Sequence, residues 1–193
     1  MSEPVVQHGI KIAGENPMIV LYPPEGEEMV ALVSVWTATY SPVGTGRALL
    51  IWLDPEQSGL GDAAPVGIYT DNAELADYVW EHFYRDYDPI RGKGIETGPP
   101  VPAHFTEVSG GDQFHRITCV AGGRVIELEW RDLMDPIQVT THPTGFECSV
   151  VARPCGTAEI RVDGALARGE VRHPIGWFGS SAILAFAETW REL

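Results

Sequence analysis

Asp112–Asp132, DQFHRITCVAGGRVIELEWRD, is the stretch whose reading decides the fold. Gly122-Gly123 fits a two-residue hairpin turn, which requires positive φ at its centre. Counting outward sets Ala121 opposite Arg124. Thr118 then faces Glu127, Arg116 faces Glu129 and Phe114 faces Arg131. This side is polar and holds an opposite-charge cross-strand pair, so it is expected to face solvent. The other side pairs Cys119 with Ile126, Ile117 with Leu128, His115 with Trp130 and Gln113 with Asp132. It is apolar near the turn and polar away from it. A slip of one residue would bury Arg116 and Glu129 instead. The inner face is therefore expected to gather His115, Trp130, Asp132 and Gln113 at one end of an enclosed space.

A second hairpin is read in AEIRVDGALARGEV, residues 158–171, around Asp163-Gly164. Its register sets Glu159 against Arg168 outside, and Ala158, Ile160 and Val162 against Gly169, Ala167 and Ala165 inside. VSVWTATY (33–40) and RALLIWL (47–53) form a third hairpin through residues 42–46. If their apolar faces coincide, Trp36 and Trp52 are near neighbours. Further strand-like runs fall near 8–13, 17–22, 65–70, 103–109, 136–142, 146–153 and 181–191, separated by Gly, Pro, Asp and Asn. In the last run, period two places Ala182, Leu184, Phe186, Glu188 and Trp190 on one side. A carboxylate on that apolar face has a raised pKa and suits acid–base work.

One segment departs from this pattern. Asp71 or Asn72 caps a helix through AELADYVWEHFYRDY to about Tyr87, with Leu75, Val79, His82 and Phe83 along one face. Tyr78 and His82 reach a cavity if this helix closes one. The Pro/Gly-rich segment 88–102 separates two β-rich halves of what is expected to be a single domain spanning 1–193.

Many short strands and one helix imply a mainly β chain, an antiparallel barrel or sandwich with the helix near 73–87. Such a barrel is similar in outline to lipocalin barrels, a likeness of shape that carries no function.

Composition narrows the function classes. The 193 residues carry 13 basic and 27 acidic side chains, a net charge of −14. Phosphate recognition needs a dense basic footprint, so nucleic acid and anionic membrane surfaces are not expected partners. Cys119, Cys148 and Cys155 are too few, and odd in number, for a disulfide framework; free thiols and the plain N-terminal sequence give a cytoplasmic expectation. His8, His82, His104, His115, His142 and His173 show no HxH, HxxH or HExxH spacing, and no P-loop, GxSxG or dinucleotide fingerprint occurs. Neither a metal nor a cofactor is expected.

The function expected is binding of a small apolar or aromatic molecule, with or without cofactor-independent lyase, isomerase or hydratase chemistry. His115 is the candidate general acid/base and Asp132 its orienting partner. Trp130, Trp36 and Trp52 are candidate walls, and Tyr78, His82, Gln113 and Glu188 further contacts. A non-catalytic carrier or sensor, and a subunit of a homodimer or larger assembly, fit the same features.

Overall fold

The computed structural model describes residues 9–95, 98–143 and 145–193, and the Asp88 side chain is not among the described atoms. Residue 8 of the expected first strand, with His8, and residues 96–97 of the Pro/Gly-rich segment lie outside the described residues.

Thirteen strands join in one sheet. In chain order they are β1 (Ile10–Glu15), β2 (Met18–Leu21), β3 (Ala31–Tyr40), β4 (Gly46–Leu53), β5 (Val66–Thr70), β6 (Val101–Pro102), β7 (His104–Ser109), β8 (Phe114–Ala121), β9 (Arg124–Leu133), β10 (Ile137–Thr141), β11 (Phe146–Val162), β12 (Ala165–Leu166) and β13 (Ala182–Glu192). The main path runs β6-β5-β4-β3-β1-β13-β11-β9-β8-β7, so strands from before and after residues 88–102 share it. The β5–β6 pairing is parallel and the other pairings are antiparallel.

Gly122 and Gly123 both have positive φ, 57° and 85°, and the β8–β9 register is the one the turn arithmetic predicts, from Ala121↔Arg124 to Phe114↔Arg131. The Asp163-Gly164 turn also forms, setting Val162 against Ala165. Its return strand stops at Leu166, because Arg168 N–H turns away to the Ser58 carbonyl. The expected Glu159–Arg168 pair is therefore not formed; on the other edge of its strand Glu159 is set against Glu129 of β9.

The run 146–153 and the first arm of the 158–171 hairpin are one strand of 17 residues. Its first part pairs with β13 on one edge and β10 on the other; past Pro154 it pairs with β9. β9 and β10 thus follow one another along the same edge of β11.

The helix is shorter than its sequence pattern implies. Asn72 caps it, accepting from Leu75 N–H, and α1 covers Ala73–Val79. A π turn then spans Trp80–Tyr84. The extra residue per turn rotates the following side chains. Tyr84 is thereby buried against the sheet, while His82 points to solvent.

The odd-numbered residues Val33, Val35, Leu49 and Ile51 face a core that also holds Phe105, Ile117, Leu128, Trp130 and Ile160. Both ends of the sheet contribute to this core. The alternate residues Leu32, Trp36, Leu50 and Trp52 pack beneath Leu75, Val79 and Tyr84 of the helical segment. The β3–β4 hairpin is consequently buried on both faces, which explains its nearly unbroken apolar sequence.

β1 must lie close to β3, and Gly14 permits it. A Cβ at this position would stand 2.1 Å from the Thr37 carbonyl oxygen. Gly14→Ala is expected to cost about 3 kcal/mol by forcing the strands apart. Chemical denaturation would register this as a lower midpoint, and an unchanged midpoint would contradict the close approach.

Candidate functional site

The candidate residues divide among three places. His115 and Trp130 face the core between the two ends of the sheet, with ring centroids 5.8 Å apart. Trp130 is fully buried and donates to the Met18 carbonyl at 3.0 Å. Asp132 and Gln113 do not join them. Asp132 has φ 53°, and this left-handed backbone breaks the period-two alternation on which the expectation rested. The carboxylate turns outward, is exposed and accepts from Thr157 Oγ1 at 2.9 Å. Gly156 makes this local fold feasible: a Cβ there would meet Asp132 Cβ at 2.8 Å. Gln113 precedes the start of β8, in a turn bonded to the Gly110 carbonyl, and is exposed.

His115 has other neighbours instead. Its Nε2 is 3.4 Å from Glu107 Oε1, and Arg47 holds the other Glu107 oxygen at 3.1 Å. Glu15 extends the cluster electrostatically: burial raises its pKa first, Glu107 raises it further and Arg47 opposes. Burial lowers the His115 pKa, with Glu107 acting in the opposite direction. The imidazole is thus held neutral within a packed wall. Sequence reading missed Glu15, Arg47 and Glu107 because they come from strands whose mutual placement no local pattern encodes.

Trp36, Trp52, Tyr78 and His82 belong to the helical side of the sheet. Trp36 and Trp52 do share a face, but it is the face covered by the helical segment. Lys93 Nζ sits 3.9 Å over the Trp52 ring. Tyr78 donates to the Lys11 carbonyl of β1 and stacks at 4.2 Å on His82.

Glu188 also lies on this side. A register shift at Ala185–Ala187 leaves Phe186 as an extra, exposed residue, so Glu188 and Trp190 share the face of Ile183 and Ala185 rather than that of Leu184. The carboxyl is buried under the helical segment and receives Trp190 Nε1 at 2.6 Å and Asn16 Nδ2 at 3.3 Å, both on Oε1. Ser34 Oγ donates to Asn16 Oδ1 at 2.5 Å, so its hydroxyl proton is committed there. Tyr84 must then donate to Ser34 Oγ, while Trp36 Nε1 donates to the Tyr84 oxygen at 3.1 Å. Every donor in this chain points toward Glu188. Burial nonetheless dominates and pushes the Glu188 pKa up to about 7, against the opposing hydrogen bonds from Trp190 and Asn16. Ser34 was detectable in principle as a lone hydroxyl inside the apolar run of β3.

A groove opens on the same side of the sheet. It is lined by Met18, Val20 and Ile183 from the strands, Tyr22 and Tyr87 from neighbouring loops, and the segment Ile175–Phe178, and has a volume of about 370 Å³. Trp177 is 71% exposed at its edge. Three large apolar residues in a turn-rich segment, HPIGWFGSS (173–181), were the sequence signal for it.

The remaining candidates stay dispersed. His104, at the start of β7, and His142, just past the end of β10, are both exposed, and no group of three metal-ligating side chains forms among the described residues. All three cysteines are buried free thiols; burial pushes those of Cys119 and Cys155 up to about 12. No helix among the described residues is long and apolar enough to cross a membrane. No known protein family, curated protein or solved structure matches the chain.

The Glu188 proton gives a thermodynamic test. Its folded pKa of about 7 exceeds the ordinary 4.5, so the folded state binds the proton more tightly. The stabilisation is complete below the ordinary pKa and is lost as pH rises through the folded one, a total of about 3 kcal/mol. Glu188→Gln is expected to remove this slope and to be more stable than the parent at about pH 8. Denaturation curves across pH check it; parallel pH profiles for the two proteins would contradict a buried, proton-binding Glu188.

Proposed function

We propose that this chain binds a small, largely apolar or aromatic molecule without transforming it, acting as a carrier or sensor, on a sheet that rolls over into a sandwich-like or barrel-like body. The observation that carries the reading is the groove beside β2 and β13. Its volume of about 370 Å³ falls in the range of ligand sites, roughly 300–1,000 Å³. Tyr22, Tyr87, Trp177 and Phe178 supply flat apolar surface, while the Ser180 and Ser181 hydroxyls that also line it donate to the Cys155 and Val20 carbonyls. Neither carboxylate nor imidazole lines it, which favours binding over acid–base chemistry.

The acid–base reading, a lyase or isomerase centred on His115, draws support from the desolvated imidazole beside Glu107. The groove is not lined by His115, Glu107 or Trp130, so a molecule seated there would not touch them. The ligand-binding reading is therefore the stronger. The chain's net charge of −14 selects for neutral or cationic ligands over anionic ones.

A neutral aromatic probe, N-phenyl-1-naphthylamine, is expected to bind at a single saturable site with enhanced fluorescence. Trp177→Ala is expected to weaken binding about tenfold while shifting stability by no more than about 0.5 kcal/mol, as for other exposed positions. Unaltered affinity in this variant, or linear non-saturable uptake, would remove the groove as the site. Size-exclusion chromatography of the same samples separates ligand binding from use of the groove as a self-association surface.

A further inference from the structure

We propose that the Tyr22 and Tyr87 hydroxyls are the recognition pair of the groove, and that they select ligands whose apolar or aromatic body carries a neutral hydrogen-bond acceptor, such as a ketone or ester carbonyl. The inference rests on the ligand-binding reading of the groove and names the chemical class that the groove takes.

The hydroxyls of the groove carry the argument. Four lining residues bear one: Tyr22, Tyr87, Ser180 and Ser181. The two serines are committed within the fold, Ser180 Oγ donating to the Cys155 carbonyl and Ser181 Oγ to the Val20 carbonyl, both at 2.7 Å. Neither tyrosine hydroxyl has a hydrogen-bond partner among the described residues. A phenol is protonated at neutral pH and donates. A ligand that covers the apolar lining without reaching these hydroxyls strips water from two donors and leaves them unpaired, which costs affinity. A ligand that presents an acceptor to them recovers both bonds. That asymmetry is how a few polar groups in an apolar site discriminate between ligands.

Both tyrosines are held in place by the fold, so little ordering is left for the ligand to impose. Tyr22 follows β2, and its N–H and carbonyl pair with the carbonyl and N–H of Glu170 at 3.0 and 2.9 Å. The Arg172 guanidinium lies 4.2 Å from the Tyr22 ring centre and is itself tied to the Pro23 and Gly26 carbonyls. Tyr87 lies just past the π turn, its N–H on the Tyr84 carbonyl at 2.9 Å and its carbonyl accepting from Ile90 N–H at 3.1 Å. The two hydroxyls are near enough to sense one another: burial raises the Tyr87 pKa, and Tyr22 raises it further. Tyr87 is therefore a donor throughout the neutral range. The acceptor is neutral rather than anionic for two reasons. No Lys, Arg or His among the described residues lines the groove, and the chain carries a net charge of −14.

Benzophenone and diphenylmethane, the same two rings with and without a carbonyl, test this on the full chain by displacement of N-phenyl-1-naphthylamine. Tyr22→Phe and Tyr87→Phe are each expected to weaken benzophenone about fivefold and to leave diphenylmethane unchanged. Each ligand is compared with itself across proteins, so differences in hydrophobicity between the two cancel. Equal losses for both ligands would show that the phenols act through shape alone and would overturn the proposal. The infrared carbonyl band of bound benzophenone is expected at lower frequency in the parent than in the double variant Tyr22→Phe, Tyr87→Phe; identical bands would overturn the donated bonds. Diphenylacetate, the carboxylate counterpart, is expected to bind more weakly than benzophenone, and tighter binding would overturn the neutral class. Both single variants are expected to keep the denaturation midpoint of the parent, because neither hydroxyl holds another part of the fold; a marked fall would contradict this. Saturable binding of both ring compounds, indifferent to either substitution, would overturn the recognition pair and leave the groove reading intact. Absence of saturable binding by N-phenyl-1-naphthylamine and by all three compounds would remove the groove reading and the proposal together.

Discussion

Burial of the β3–β4 hairpin on both faces is the constraint from which the rest of the structure follows. One face supplies Val33, Val35, Leu49 and Ile51 to the core shared by both ends of the sheet, and the other supplies Leu32, Trp36, Leu50 and Trp52 to the layer under the helical segment. The buried stretch of β3, residues 31–36, therefore has to be apolar at nearly every position. Its one hydroxyl, Ser34, is buried and needs partners, and it finds them in Asn16 and Tyr84. The cost of an unsatisfied buried hydroxyl, roughly 1–3 kcal/mol, fixes where the π turn sits on the sheet.

Packing of the inner core also decides where a ligand can go. Trp130, Ile117, Leu128 and Phe105 occupy the space in which an enclosed cavity was expected. Interiors packed to this degree leave little room for a second molecule. Apolar concave surface is found instead where the regular elements stop, between the end of the helical segment and the loop before β13, while a smaller hollow on β8, β9 and β11 is lined by charged side chains. The groove draws on both: the sheet supplies Met18, Val20 and Ile183, while Tyr22, Tyr87, Trp177 and Phe178 come from outside the strands.

Local sequence rules recovered what is locally determined. The β8–β9 register followed from two glycines, because a tight turn leaves a single pairing consistent with alternation. The mainly β composition and the position of the helix start at Asn72 were legible for the same reason. Alternation failed wherever the backbone departs from ideal strand geometry. Left-handed Asp132 turned a core residue outward, and the irregularity at Phe186 moved Glu188 to the opposite face from Leu184. The π turn did the same to His82 and Tyr84. Each of these is a shift of about one residue, invisible in composition, yet enough to exchange buried and exposed sides. Of the candidate site, the buried state of His115, Trp130 and Glu188 was readable, whereas their companions Glu107, Asn16 and Tyr84 depended on long-range topology.

The central claim, that a ligand occupies the outer groove and not the interior, is tested most directly by NMR with methyl-labelled methionine and labelled tryptophan side chains. On titration with a neutral aromatic probe, the account predicts movement of the Met18 methyl and Trp177 indole signals. The Met134 methyl and Trp130 indole signals should remain in place. Shifts at Trp130 without change at Met18 and Trp177 would place the ligand inside the sheet and contradict the account.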